Sequence, residues 1–152
     1  MIHQPQHTIT SANPIGGAKL ELALTFADGF AATVKLKDWS RRKALAALSD
    51  PAVFAAARVD AHGGYVVFIE DDLELAADNL RNLAIEQSGG IGHERMWNWM
   101  HANNLTQERA AAAIGISRRM LNYYLSGAKA IPLTVWLACV GWQYQRQQEM
   151  VA

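Results

Sequence analysis

The sequence predicts an α+β domain followed by an all-α domain, and three observations lead to this prediction. Apolar residues alternate with other residues from Leu20 to Phe26, which is typical of a half-buried strand. Residues 105–127 contain two helical segments separated by a glycine, each beginning with a residue that can cap it. Residues 87–92 contain three glycines, which cannot sustain a regular element. This predicts three parts: a domain of residues 1–88, a linker of residues 89–92 and a domain of residues 93–152.

The predicted first domain is a small antiparallel sheet flanked by helices. The turn signal Ala27-Asp28-Gly29 folds one strand back on the next, as in a hairpin. Strands are expected at residues 7–11, 20–26, 30–36, 53–59 and 65–70. Helices are expected at residues 39–48, capped by Asp38 and stopped by Ser49-Asp50-Pro51, and at residues 78–87, with Leu80 and Leu83 or Ala84 facing inward.

The two helical segments of the second domain carry their own start and stop signals. Thr106 can cap the first segment and Ser117 the second, because their hydroxyl groups accept backbone N–H groups that the helix leaves unpaired. Gly115 lies where the first helix must end and where the backbone takes a positive φ. If Leu121 faces a small core, the outer side of residues 117–125 presents two arginines near its N-terminal end.

This segment resembles the helix-turn-helix of the lambda-repressor-like family, over roughly residues 93–140. The likeness lies in Leu105-Thr106-Gln107, an alanine-rich helix, Gly115, Ser117 and a second helix that ends near Gly127. It implies that the helix of residues 117–125 enters the major groove of double-stranded DNA.

The same resemblance implies roles for individual side chains. The residues implied to contact DNA are Gln107, Ser117, Arg118, Arg119, Asn122, Tyr123 and Lys129. Arg118 and Arg119 would reach base edges, where a guanidinium can bind guanine through two hydrogen bonds. Gln107 would contact a phosphate, Tyr123 would lie at a further position near the bases, and Asn122 would lie beside the backbone or a base. The alternative for the two arginines is an ordinary solvated helix face.

The charge of the chain is divided unevenly, although its formal net value is zero. Residues 1–90 contain eight Lys+Arg and eleven Asp+Glu, giving −3, whereas residues 91–152 contain six and three, giving +3. A basic excess in the second domain suits a module that faces phosphates. Because this excess is small, we expect a homodimer to be needed for useful affinity, with two recognition helices about 34 Å apart.

The first domain resembles a small bacterial α+β family of unknown function, over roughly residues 5–85. The residues that carry the likeness are Leu22, Thr25, Phe26, Asp28, Gly29, Val34, Leu36, Phe54, the run Tyr65-Val66-Val67-Phe68, the run Asp71-Asp72-Leu73-Glu74-Leu75, and Leu80. Members of that family often resemble partners in toxin–antitoxin operons, and some are fused to a helix-turn-helix. The resemblance implies an antitoxin-like regulator whose first domain supplies dimerisation or binds a toxin or other protein partner.

Acidic residues around one connection of the first domain raise the alternative of a metal-dependent enzyme. The residues concerned are Asp60, His62, Glu70, Asp71, Asp72 and Glu74. Turns and strand ends contain such residues in any case, and no established ligand spacing is complete, so we interpret them as a solvated acidic rim. We expect no metal, no cofactor and no enzymatic activity. His3 and His7 have a helical metal spacing but lie in an irregular or edge segment, and His93 and His101 are expected at the surface or at caps.

Cysteine content and hydropathy indicate where the protein resides. Cys139 is the single cysteine, which excludes an internal disulfide, and its apolar neighbours predict a buried small hydrophobe. The sequence shows neither a signal peptide nor an apolar run of spanning length. We therefore expect a cytoplasmic protein that is not associated with a membrane.

Large aromatic side chains are concentrated in the second domain. Trp99 and Trp136 are expected in its core, whereas Trp97, Trp142 and Tyr144 exceed what a domain of this size can easily bury. Some of these rings are expected at an interface. A module that binds a protein partner instead of DNA is therefore the alternative function.

Overall fold

In the computed structural model, which describes residues 7–16 and 18–151, strands and short helices form the first part of the chain and helices form the second. The chain divides into two units between Gln87 and Ser88. The predicted fold class, α+β followed by all-α, is confirmed.

The first sheet is built on the strand that the alternating pattern predicts. It contains β1 (Ile9–Ile15), β2 (Glu21–Phe26) and β3 (Ala31–Lys35), antiparallel in that order. Leu22, Leu24 and Phe26 on β2 are almost completely buried, so one face of the strand lies on the core. β1 runs further than the predicted residues 7–11, because Pro14 and Ile15 still pair with β2.

The helix predicted at residues 39–48 is wrong. Residues 37–49 instead form α1 (Lys37–Ser40) and a separate 3₁₀ turn (Lys43–Ser49), since Arg42 between them has an extended backbone. Asp38 lies inside the first turn of α1 and does not cap it. Only Leu48 is buried within the turn, so too few apolar contacts hold this alanine-rich stretch in one amphipathic helix.

The strand predicted at residues 53–59 is also wrong over most of its length. The chain forms α2 (Pro51–Ala55), and only β4 (Arg58–Val59) is extended. The Asp50 side chain accepts a hydrogen bond from the Ala52 N–H at 3.0 Å, and Pro51 takes the first helical position. Asp-Pro therefore starts a helix here, which is the other role that this pair can play.

The second sheet contains β4, β5 (Tyr65–Ile69) and β6 (Leu73–Ala76), antiparallel in that order. β6 was not predicted, and the described residues form two sheets where one was expected. The Ile9 N–H donates to the Gly63 carbonyl at 2.8 Å, which joins β1 to the turn between β4 and β5. The predicted final helix is present as α3 (Ala77–Gln87), with Leu80 and Ala84 buried.

Arg81 on α3 closes the hairpin between β2 and β3. Its guanidinium donates two hydrogen bonds to the Asp28 carboxylate, at 3.0 and 2.9 Å. The same guanidinium lies over the rings of Phe30 and Phe26, with distances to the ring centroids of 4.1 and 4.9 Å. The hydrogen bonds from Arg81 lower the pKa of Asp28 below its ordinary value of 3.8.

Asp28→Asn is expected to make the stability of the first unit less sensitive to acid. Because the pKa of Asp28 is lowered in the folded state, the unfolded chain binds the proton more readily. The stabilisation that ionised Asp28 provides is complete above pH 3.8, the pKa of an ordinary aspartate. It is lost as the pH falls through the lower pKa that Asp28 has in the folded state. Denaturant titrations at several pH values check this. The free energy of unfolding should fall less steeply with acid in the variant, and parallel slopes would contradict the prediction.

Within residues 88–151, the second unit contains four helices around a separate apolar core. They are α4 (His93–Ala102), α5 (Gln107–Ile114), α6 (Arg118–Ser126) and α7 (Leu133–Val151). Trp99 and Leu121, which were predicted in this core, are buried, and so is Met96. Pro132 lies one residue before α7, and its carbonyl accepts the N–H groups of Val135 and Trp136. None of the helices in the described ranges has the length and apolar character needed to cross a membrane.

Candidate nucleic-acid interface

The turn between α5 and α6 is fixed by the three signals that the sequence contains. The Thr106 hydroxyl accepts the Arg109 N–H at 3.2 Å, and the Ser117 hydroxyl accepts the Met120 N–H at 3.1 Å. Gly115 ends α5 in the left-handed conformation, with φ 74° and ψ 31°. These three structural predictions are confirmed. Because both helix starts are capped, the direction in which α6 leaves the turn is well defined.

One side of α6 is anchored in the core of the second unit. Leu121 and Leu125 are buried on this side, and Tyr124 is only 8% exposed. Ala110 and Ala111 of α5 are buried in the same core, and their small side chains let the two helices approach closely. The opposite side of α6 is therefore directed to solvent.

The solvent side carries four of the predicted DNA contacts. Arg118, Arg119 and Asn122 are exposed and Tyr123 is half-buried, all within the first two turns of α6. Both guanidinium groups are accessible, so burial does not prevent either arginine from contacting DNA. Ser117 is exposed as well, but its hydroxyl group already caps the helix.

Arg118 has an acidic neighbour that was not predicted from the sequence. Its Nη1 lies 3.5 Å from Oε1 of Glu108, in the first turn of α5, and the two side chains are 59% and 79% exposed. Such an exposed pair is weak, so it can open when a phosphate or base approaches. The two residues are ten positions apart, and only the turn at Gly115 brings them together.

Arg119, Tyr123 and Lys129 form one connected group. The Nε of Arg119 donates to the Tyr123 hydroxyl at 3.1 Å, and its guanidinium lies 5.7 Å from the centroid of the ring. The Lys129 ammonium lies 4.6 Å from the same centroid, and the Lys129 N–H donates to the Tyr123 carbonyl at 3.2 Å. Tyr123 thus holds two positive charges together on the outer side of α6.

Gln107 begins α5 and is half-buried. Residues at the start of a helix expose backbone N–H groups, which favours contact with an anion such as a phosphate. A phosphate contact by Gln107 stays a prediction.

The surplus aromatic residues fall into two groups. The Trp97 indole donates to the Leu125 carbonyl at 3.0 Å, which ties α4 to the end of α6, and the Trp142 ring packs edge-on against Trp99 with centroids 5.7 Å apart. Tyr144 is 62% exposed. Trp97 and Trp142 therefore have contacts inside the second unit, whereas the Tyr144 side chain is mainly exposed.

Two of the acidic residues considered as metal ligands have partners within the first unit. The Asp60 carboxylate accepts the N–H groups of Gly64 and Tyr65 at 2.7 and 3.2 Å, and Glu70 forms an ion pair with Arg58. Within residues 7–16 and 18–151, no three His, Cys, Asp or Glu side chains are grouped as a metal ion would require.

The histidines are placed differently from one another. His3 lies outside the described residues. The backbone N–H of His7 donates to the Asp78 carboxylate at 3.1 Å. His101 is exposed, as expected. His93 was expected at the surface or at a cap; it is the first residue of α4, after the N-cap Gly92, and is only 7% exposed, so an exposed position is wrong.

Cys139 lies on the core side of α7 and has no exposed area. Its Sγ lies 3.6 Å from Sδ of Met96, and burial raises the pKa of the thiol to about 11. The prediction of a buried small hydrophobe is confirmed.

The capped α5, the left-handed glycine and the anchored α6 define the second unit as a helix-turn-helix domain. The family model described as "Helix-turn-helix" matches residues 100–140. Over the whole chain, the fold is similar to the crystal structure of "Putative DNA Binding Protein NE0471" from Nitrosomonas europaea ATCC 19718. That similarity has a TM-score of 0.82 and 36% sequence identity, and it covers 96% of this chain and 92% of the other. The chain belongs to the same family as this Nitrosomonas protein. The comparison with curated proteins gave no match.

Proposed function

We propose that the protein is a sequence-specific DNA-binding transcriptional regulator that inserts the N-terminal part of α6 into the major groove. The observation that carries the proposal is the exposed face of α6, where Arg118, Arg119 and Asn122 project from a helix anchored by Leu121. The similarity to a protein described as DNA-binding supports it.

The exposed side chains suit the edges of base pairs. A guanidinium can donate two parallel hydrogen bonds to guanine, and an asparagine amide can both donate to and accept from adenine. Arg118 and Arg119 can serve the first purpose and Asn122 the second. Lys129 and Gln107 are proposed to contact phosphates, which set the position of the helix on the duplex without reading its sequence.

The electrostatic balance supports a regulator that binds as a homodimer. The second part of the chain, residues 91–152, has a net charge of only +3. The strength of phosphate binding grows with the number of phosphates neutralised, so two copies on one duplex bind much more tightly than one. Two recognition helices about 34 Å apart would then contact successive major grooves on one side of the DNA.

The antitoxin-like part of the proposal concerns the first unit and is supported by the resemblance of residues 5–85 alone. In that role the first unit binds a toxin or another protein, while the second unit binds the operator in the cytoplasm or nucleoid. Co-expression with the product of an adjacent gene, followed by purification of the complex, tests this part separately from DNA binding.

Selection of bound sites from a pool of random DNA duplexes tests the proposed function. We expect a recurring sequence, and we expect the affinity for it to fall steeply as salt concentration rises, because binding releases counterions from the DNA. Recovery of no common sequence, together with an affinity that does not depend on salt, would overturn the proposal.

Glu108→Gln is expected to tighten DNA binding by a factor of about two to five. The Glu108 carboxylate pairs with Arg118 and also repels approaching phosphates, so its neutralisation frees the arginine. Glu149→Gln is the matched control, since it removes the same charge from an exposed position on α7. Fluorescence anisotropy with the selected duplex measures both variants. Equal gains would show that only net charge matters and would contradict the role of the pair.

A further inference from the structure

An apolar stripe runs along the solvent side of α7. The side chains are spaced four, three and four residues apart and then continue to the end of the helix. They are Leu133 (62% exposed), Leu137 (55%), Val140 (47%), Tyr144 (62%) and Val151 (84%). We call these five residues the α7 seam. Cys139 on the opposite side is fully buried, so the helix has apolar residues on both its inner and its outer face.

The spacing of the seam is that of a coiled coil. Apolar residues that alternate between three and four positions form a stripe that follows one side of a helix. Gln147 occupies the position between Tyr144 and Val151, so the pattern covers the whole helix with one polar interruption. Together these side chains expose on the order of 500 Å² of surface, which matches the largest apolar patch of a typical monomer.

We propose that the α7 seam is the surface through which two copies of this chain form a homodimer. A stripe with this repeat is complementary to a second copy of itself, and a two-fold axis brings the same residues together from both protomers. In the resulting helix pair, each seam side chain is buried between the two helices.

The charges on α7 favour a second copy as the partner. The helix has only two charged residues, Arg146 and Glu149. Neither belongs to the seam or to the positions that flank it in this repeat. The flanking positions hold Thr134, Trp136, Gly141, Gln143, Gln148 and Met150. Two copies can therefore approach without placing like charges opposite each other. A charged partner would find no opposite charge at these positions.

Gly141 supports the same contact. It lies in the middle of α7 next to Val140, where glycine makes a helix less stable than alanine does. A Cβ atom added at Gly141 would meet nothing within 4 Å, so the core of the chain does not require a glycine there. Its lack of a side chain does let the backbone of a second helix come close beside Val140.

The dimensions indicate a dimer of moderate strength. α7 has 19 residues, which corresponds to a length of about 28 Å. Two seams in contact bury on the order of 1,000 Å², at the lower end for specific protein interfaces, and a dissociation constant in about the micromolar range is expected. α7 follows α6 closely in the chain, so the contact would carry both recognition helices. The seam rests on the proposed function in that it would supply the homodimer proposed there. It does not depend on DNA binding, so a failed dimerisation test leaves the proposed DNA contact by α6 standing.

Sedimentation equilibrium of the full chain without DNA tests the seam. We compare wild type with the double variant Leu137→Gln/Tyr144→Gln, at concentrations spanning about 1–100 µM. Tyr65→Gln is the matched control, because Tyr65 is also exposed, at 42%, but lies on β5. We expect wild type and Tyr65→Gln to dimerise alike, and the double variant to dissociate at least about tenfold more easily.

Two results would overturn the proposal: a wild-type chain that stays monomeric at the highest concentration, or a double variant that dimerises as strongly as wild type. Circular dichroism and thermal unfolding establish that the double variant is folded, as expected for exposed substitutions. If it is not, the single variant Val140→Gln is measured in the same way, and its dimerisation at wild-type strength would equally exclude the seam.

Discussion

Arg119→Ala is expected to weaken binding to the selected DNA site by about 1–3 kcal/mol and to relax the preference for one base pair. The tyrosine hydroxyl and ring hold Arg119 in a defined position, with Nε 3.1 Å from the Tyr123 oxygen. A guanidinium held in this way loses little conformational freedom when it binds a base. Arg118→Ala should have an effect of the same kind, reduced by the ion pair with Glu108 that wild type must break.

Arg146→Ala is the control for both variants. It removes the same charge from an exposed residue of α7 that lies over the Trp142 ring, away from α6 in sequence. Affinities are measured by anisotropy for the selected site and for each single-base change within it. Base contact predicts that the arginine variants lose discrimination at one position, whereas Arg146→Ala does not. If the two arginine variants bind the selected site with the same affinity as wild type, neither arginine contacts a base.

Gly63→Ala is expected to destabilise the first unit by about 3 kcal/mol or more. Gly63 has φ 73°, a conformation that costs a residue with a Cβ about 1–2 kcal/mol. The added Cβ would also lie 2.7 Å from the Ile9 carbonyl oxygen and would overlap the Thr8 side chain. The backbone cannot retreat easily, because the Ile9 N–H donates to the Gly63 carbonyl at 2.8 Å and joins the two sheets.

Gly29→Ala separates the two causes. Gly29 has φ 90°, but a Cβ there meets nothing within 4 Å. Only the conformational cost of the positive φ therefore applies at this position. Denaturant unfolding followed by far-ultraviolet circular dichroism gives the free energies. Gly63→Ala should lose clearly more stability than Gly29→Ala. If both variants lose the same amount, the close approach of Ile9 does not contribute.

Local signals account for most of what the sequence predicts correctly. Thr106, Gly115 and Ser117 each act within a few residues, and their hydrogen bonds and backbone angles are those expected. The hairpin at Asp28 follows from alternation and a turn, which are also local. Because the helix-turn-helix is built almost entirely from such signals, its position could be predicted closely.

The errors lie where tertiary packing or an ambiguous signal decides the structure. Asp50-Pro51 can stop one helix or start the next, and the sequence does not distinguish these outcomes. β6 has only four residues, the shortest length over which alternation indicates a strand. At the site, the exposed face of α6 was predictable from Leu121. Two contacts at the site could not be predicted: the ion pair of Arg118 with Glu108 and the cation–π contact of Lys129 with Tyr123. Both depend on the exact path of the chain through two turns.

The sealed position of Cys139 gives the second unit a natural chemical reporter. A thiol with no accessible surface and a pKa of about 11 barely reacts with alkylating reagents at neutral pH while the helices are closed. A reagent can therefore modify Cys139 only after α7 separates from Met96. The modification rate, followed by mass spectrometry in native buffer, therefore measures how often this unit opens, with no substitution, dye or denaturant.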